Sequence, residues 1–269
     1  MEREIVKEYL AGASSTELAK KYGFKTSKSI TDKVKKFNEK VRDQREAKAI
    51  NKSYAHFSMK KIDSEFKAYY LGLLLTDGYI VGNTIGLDLT DEDCIQFISS
   101  IIGKEYKSYE REAPRQTRHR IVFNNPELIK ELSRYGVVPR KTHILSGFTL
   151  EPDEEKFYPY LIRGLIDGDG WIRKDGKEFF ICTASYEFAI WVSHILEDKL
   201  YMRNINISKG RTVWNVRTAL YRNINILKDI VYDIPFGMSR KYNLLHSEPS
   251  ETIMDDLYDN NNNRSNFIA

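Results

Sequence analysis

The sequence predicts an α+β fold in which one αββαββα unit occurs twice, preceded by a small all-α segment. Three observations predict it. A long apolar helix ending in Asp-Gly appears at 66–78 and again at 157–170. The same succession of strand and helix patterns follows each copy. The chain opens on short, Lys-rich helical patterns that belong to neither copy.

Residues 2–40 read as helices, within a small unit spanning 1–45. Ile5, Val6, Tyr9 and Leu10 recur at helical spacing until Gly12. Ser14-Ser15-Thr16-Glu17 has the form of a capping box leading into Leu18, Ala19 and Tyr22, and Gly23 stops that helix. Thr26-Ser27 is placed to cap a third helix carrying Ile30, Val34 and Phe37. The segment YLAGASSTELAKKYGFKTSKSITDKVKKF resembles the helix-turn-helix units of bacterial and phage DNA-binding proteins, which would turn Lys25, Lys28 and Lys35 toward a groove. A plain three-helix cap has the same pattern. Residues 46–61 are polar, without apolar periodicity, and read as a linker.

Composition narrows the class. With 41% hydrophobic and 12% aromatic residues among 269, a fully disordered chain is excluded. Cys94 and Cys182 are the only cysteines, too few for a disulfide scaffold or a zinc cluster. No apolar run is long enough to span a bilayer, and the opening MEREIVKEYL carries acids where a signal peptide is apolar. The expectation is a protein of a reducing compartment, cytoplasm or organellar matrix, with no membrane partner. Charge is uneven: residues 1–61 hold 16 Lys and Arg against 8 Asp and Glu, residues 62–247 hold 25 of each, and residues 248–269 hold one Arg and five acids. A basic head on a neutral body suits a polyanionic partner.

The first copy occupies 62–150 and the second 151–247; the acidic, Asn-rich 248–269 reads as a disordered tail. After Asp77, strand patterns fall at 84–89, 106–111 and 119–123, with helices at 91–102 and 126–135. After Asp169, strands fall at 178–182, 204–208 and 212–217, with helices at 186–200 and 224–232. Both copies close on an Arg-Lys pair, and Lys141 lies 64 residues past Asp77 as Lys241 lies 72 past Asp169.

Gly72 and Thr76, and likewise Gly164 and Gly168, are spaced to share one helix face. A small face admits another backbone, and the two copies can supply both partners. Asp77 and Asp169 would then lie side by side at a pseudo-twofold axis. Two carboxylates so placed repel unless a cation neutralises them. Divalent metals with oxygen ligands do this and also activate water for phosphodiester hydrolysis. A calcium loop is excluded: Asp167, Asp169 and Glu178 have the spacing, but Ile172 stands where that loop needs Gly.

The stretches YLGLLLTDG and IRGLIDGDG resemble the two motifs of a double-motif LAGLIDADG homing endonuclease. The resemblance covers about residues 62–247 and is closer in the second copy; Leu75 and Leu71 depart from residues the family often has. It implies that Asp77 and Asp169 bind catalytic Mg²⁺ (or Mn²⁺), and that Lys141 and Lys241 tune the catalytic solvent. It implies a monomer that cuts one phosphodiester on each strand of double-stranded DNA, encoded with an intron or intein. It also implies a sheet saddle over DNA. The candidate contacts are Lys107, Arg111, Arg118 and Arg120 in the first half, and Arg173, Lys177, Lys209, Arg211 and Arg217 in the second. Tyr79-Ile80 and Trp171-Ile172 would each pair a DNA-facing ring with a buried aliphatic, while Trp171 and Trp214 also read as core or saddle-edge packing. The same fold serves RNA maturases, whose partner is host intron RNA, and non-cleaving DNA-binding regulators. These remain the alternatives.

Overall fold

The computed structural model describes residues 1–11, 13–42, 57–112 and 115–246. Gly12, most of the expected linker and the expected tail lie outside the described residues. The chain divides into two compact units, one comprising Met1–Phe57 with Ser100–Glu105 and the other Ser58–Ser99 with Tyr106 onward.

Among its described residues the first unit has the short helices α1 (Glu2–Leu10), α2 (Ser15–Lys21) and α3 (Lys28–Lys36). The capping box forms as expected, with the Glu17 N–H donating to Ser14 Oγ and the Ser14 N–H donating to Glu17 Oε2, each at 3.1 Å. The cap expected at Ser27 does not form. Ser27 already has helical dihedrals, so its hydroxyl cannot reach back over the first turn. Ile5, Val6, Tyr9, Leu18, Ala19, Ile30 and Val34 make the core of this unit. Leu10, expected on the same face, is exposed. Gly23 ends the second helix at φ +73°, a left-handed conformation that glycine adopts freely. Lys25, Lys28 and Lys35 are exposed, whereas Lys33 and Lys36 are tied to Glu2.

The second unit contains the duplication. Its first half runs α4 (Glu65–Thr76), β1 (Gly78–Val81), β2 (Thr84–Leu89), α5 (Glu92–Ile102), β3 (Lys107–Glu112), β4 (Arg115–Asn124) and α6 (Pro126–Ser133). Its second half runs α7 (Tyr158–Asp169), β5 (Gly170–Ile172), β6 (Phe179–Thr183), α8 (Tyr186–His194), β7 (Asn206–Lys209), β8 (Trp214–Thr218), α9 (Tyr221–Ile226) and α10 (Ser239–His246). The sheets have identical antiparallel order, β1-β2-β4-β3 and β5-β6-β8-β7. The fold is α+β, as the sequence predicts.

Local chemistry explains the boundaries. Ser64, Asn125 and Ser185 side chains each accept a backbone N–H at the start of α4, α6 and α8. The helices expected to reach Leu200 and Tyr232 change to π turns at Ile195–Lys199 and Leu227–Val231. α4 is apolar all round: Ala68 through Leu75 are all buried, as befits a helix enclosed on every side. Residues Leu161 to Asp167 of α7 are buried in the same way. These two helices form the centre of the unit, with one sheet belonging to each.

Candidate active site at the pseudo-twofold axis

The central helices touch through the small faces read from the sequence. A Cβ added to Gly72 would lie 2.8 Å from the Gly164 Cα, and one added to Gly164 would lie 2.9 Å from the Gly72 Cα. Lower down, the Thr76 hydroxyl folds back to donate to Leu73 O at 3.0 Å, and Gly168 sits against it. Backbone therefore meets backbone along the axis, and the helix ends come together.

Each helix ends in the same device. Asp77 follows Thr76 and Asp169 is the last residue of α7, and a glycine then turns the chain directly into a strand. A Cβ on Gly78 would lie 2.6 Å from the Leu74 Cα, and one on Gly170 2.5 Å from the Ile166 Cα. Only glycine permits so sharp a turn, and the turn directs the preceding carboxylate outward. The Asp77 Oδ2 reaches across the axis, 2.8 Å from where a Gly168 Cβ would stand.

The acids are partly desolvated and coupled, Asp77 half-buried and Asp169 exposed. Burial and then the Asp169 charge push the Asp77 carboxyl up to about 6, against the pull of Lys241, Arg118 and Lys141. Burial also raises Asp169, against the pull of Lys141 and Lys241. The repulsion between the two falls on whichever ionises second, here Asp77. Among the described residues neither carboxylate accepts a hydrogen bond or has an ion-pair partner within 4.0 Å.

Lys141 and Lys241 are almost wholly buried, at 7% and 3% exposure, and their ammonium groups cap the two helices. Lys141 Nζ donates to Thr76 O at 3.1 Å and to Gly78 O. Lys241 Nζ donates to Ile166 O, and to Asp167 O and Gly170 O at 2.8 Å each. Carbonyls left over at a helix C-terminus need such donors, and a cation suits the negative end of the helix dipole. Burial pushes both lysines below their ordinary values while the carboxylates hold them up. The family resemblance implied a place for them near the acids; it did not indicate this capping.

The structure gives a role to a buried acid that the sequence weighed only as a calcium-loop residue. Asp167, one helical turn from Arg163, receives Tyr232 OH at 2.6 Å, Tyr69 OH at 2.8 Å and the Met238 N–H at 3.2 Å. Tyr69 belongs to the first half and Asp167 to the second, so the network pins the halves together. Burial raises the Asp167 carboxyl and its donors partly offset this. Leu75 occupies the matching place in α4, and it is packed in the core.

The two halves differ around the acids. On the Asp77 side, Asp88 gathers Arg118 Nε at 2.9 Å, Arg120 Nε at 2.9 Å and Tyr109 OH at 2.6 Å. Burial opposes its ionisation, yet these donors hold its carboxyl below the ordinary range. Arg240 Nε donates to Asp91 Oδ1 at 3.0 Å, linking the end of the second half to the first. Asp77, Asp88, Asp91, Arg118 and Arg240 share a polar cavity of about 100 Å³. In the matching sheet position the second half has Cys182 in place of Asp88, with its Sγ 3.1 Å from Asn215 Oδ1.

The donor set fits a hard divalent cation. Two neighbouring carboxylates without protein donors are oxygen ligands whose repulsion a cation relieves. Among the described residues no group of three or more His, Cys, Asp or Glu converges. Further ligands would have to be waters and phosphate oxygens, the usual habit of Mg²⁺.

The expected DNA contacts distribute unevenly. Strand alternation puts Lys107, Arg111, Arg118 and Arg120 on one outward face of the first sheet, Arg118 half-buried and the others exposed. In the second half Arg217 and Arg173 are both paired to Glu178, and Lys177 and Arg211 are exposed. Lys209 pairs with Trp214, on the opposite face from Arg217, and lies 5.4 Å from that ring. Ile80 and Ile172 are buried as expected, and Trp171 is exposed.

No family model matches the chain. The DNA-directed RNA polymerase subunit Rpo1C of Methanocaldococcus jannaschii is 24% identical over 202 residues, covering 74% of this chain and 22% of that protein. The chain thus spans only about a fifth of that relative. Among solved structures, it is similar to the N-terminal LAGLIDADG domain of DUF199/WhiA, with a TM-score of 0.45 and 12% identity over 66% of this chain and 88% of that one. It is similar to the LAGLIDADG meganuclease I-AabMI bound to uncleaved DNA, with a TM-score of 0.43 and 13% identity over 65% and 86%. It is also similar to I-DmoI in complex with DNA and Mn, with a TM-score of 0.42 and 18% identity over 65% and 98%. No helix among the described residues is long and apolar enough to cross a membrane.

Proposed function

We propose that the chain is a site-specific double-strand DNA endonuclease of the homing type. The observation that carries this reading is the pairing of Asp77 and Asp169, equivalent carboxylates without protein donors, half-buried and exposed respectively, at the ends of helices packed glycine to glycine. A protein of this symmetry can address two strands related by a twofold axis, one phosphodiester with each half.

Asp77 and Asp169 would hold the divalent metal, Mg²⁺ or Mn²⁺. When bound, the metal supplies Lewis-acid activation of water and neutralises phosphate charge. The remaining work falls to the protein. Gly78 and Gly170 aim the carboxylates, and Lys141 and Lys241 hold the helix ends that carry them. The buried ammonium groups keep positive charge against the site. Hydrolysis adds water across one phosphodiester per strand; the attacking oxygen joins phosphorus as the bond to the leaving oxygen breaks. The outward faces of the two sheets would bind the duplex through Lys107, Arg111, Arg120 and Arg217, and the basic first unit would add affinity through Lys25, Lys28 and Lys35.

One observation favours a second reading, a non-cleaving DNA-binding regulator. Lys141, Lys241 and Arg118 already bring positive charge to the acids, so the pair can persist without metal. Incubation with a plasmid library bearing candidate insertion sites and Mg²⁺ separates the two. Linear product that vanishes in Asp77→Asn and Asp169→Asn supports the nuclease. Tight binding with no cut by the parent protein overturns it in favour of the regulator.

A further inference from the structure

The two sheets begin differently beside the two acids. Tyr79 and Trp171 hold matching places, each two residues past its carboxylate, and each pairs across to the next strand. Tyr79 pairs with Gly86. A Cβ there would lie 2.6 Å from the Tyr79 Cε1, so the ring lies flat in the space a side chain would fill. Trp171 pairs instead with Phe180, and the two rings stack at 5.2 Å with an interplanar angle of 25°. Phenylalanine beneath tryptophan raises an apolar ledge, and Trp171 is 42% exposed on it.

The surroundings say what could cover this ledge. Phe180 pairs onward with Arg217, so the ledge continues into an exposed guanidinium on the same face. Arg173 follows Trp171 by two residues, and Glu178 orients both arginines at the ledge's edge. The patch is rimmed by Arg173 and Arg217, which Glu178 and Asp175 hold in ion pairs that phosphates can compete for, so it suits a polyanion with an apolar feature rather than an apolar protein face. In the grooves of duplex DNA the apolar feature is the thymine C5-methyl group.

We propose that Trp171 and Phe180 form a specificity element that reads thymine methyl groups in the half-site bound by the second repeat, close to the phosphate served by Asp169. The inference rests on the DNA-binding reading above. It makes the protein's demands asymmetric: the Tyr79–Gly86 surface of the first repeat presents no such ledge and makes no such demand.

The test selects binding duplexes from a random-sequence pool with the parent protein. The recovered duplex is then remade with deoxyuridine replacing one thymidine at a time, which removes only the methyl. Equilibrium binding should fall about fourfold at one or two positions confined to one side of the site, the loss expected for one buried methyl-sized group. Trp171→Ala and Phe180→Ala should bind thymine and uracil duplexes equally. Trp171→Phe, which keeps an apolar ring, should retain the discrimination, and far-UV circular dichroism of each variant checks folding. Equal binding of thymine and uracil duplexes by the parent overturns the inference and leaves DNA binding standing. So does a penalty that persists in folded alanine variants, or a preference for single strands over the duplex, which would mean base stacking. Recovery of no duplex at all overturns the DNA-binding reading, and this inference with it.

Discussion

Gly72 and Gly164 meet across the axis with no room for a side chain on either. A Cβ on one would come within 2.8 or 2.9 Å of the Cα of the other. The obstacle is backbone, which cannot rotate aside as a side-chain tip could. Gly72→Ala or Gly164→Ala should therefore destabilise the second unit by about 3 kcal/mol or more, beyond the usual range for overpacking. Chemical denaturation measures the loss, and a change below about 1 kcal/mol would mean that the helices are spaced more widely.

Lys241 should matter to folding as much as to chemistry. Its ammonium group serves three carbonyls, and that of Lys141 serves two. Lys241→Met keeps the stem and removes the donor, leaving buried helix-end carbonyls unpaired at about 1–3 kcal/mol each before relaxation. The expected result is a lowered unfolding midpoint in urea, larger for Lys241→Met than for Lys141→Met.

The raised Asp77 carboxyl makes a pH-dependent prediction with a definite sign. Its folded value of about 6 exceeds the ordinary 3.8, so folding favours the protonated form. The stability this contributes is complete below the ordinary value and is lost as pH rises through about 6. Asp77→Asn removes that loss and should raise stability at neutral pH by up to about 3 kcal/mol. Added Mg²⁺ should stabilise the parent above that pH and leave the Asp77→Asn, Asp169→Asn double variant unmoved, read as thermal midpoints across a pH series.

Tyr232→Phe deletes the 2.6 Å donor to Asp167 and nothing else of its shape. That hydrogen bond lowers the Asp167 carboxyl against burial, so its loss lets the carboxyl rise further. Raised carboxyls cost stability as pH rises, so the variant should match the parent most closely in acid and fall behind by about 1–2 kcal/mol at higher pH. A pH-independent difference would show that the carboxyl is neutral throughout.

In the first unit, Ser14→Ala removes one half of a formed capping box. Helix α2 should lose about 1 kcal/mol of local stability. Faster hydrogen exchange at its amides, with exchange in the paired sheets unchanged, is the expected readout.

The duplication and its axis were legible because they are local patterns. Gly-x-x-x-Thr and Gly-x-x-x-Gly mark one face of a helix wherever the helix goes, and Asp-Gly marks its end. The strands fell within a few residues of their expected places, since alternation reports which face is buried. Arg115–Asn124 ran longer than expected because its outer residues are polar on both faces and show no alternation.

What the chain determined alone is therefore the repeated αββαββα unit, the small-residue contact face and the two acids at the ends of matched helices. The tertiary structure decided who meets whom. It buried two lysines against helix carbonyls and set Tyr69 and Tyr232 on Asp167. It also placed Arg240 on Asp91, and raised Trp171 on Phe180 while Tyr79 lay down on Gly86. Periodicity encodes which side of an element is covered. The atom that covers it comes from residues far away in sequence, and packing selects it by volume and by the need of every buried polar group for a partner.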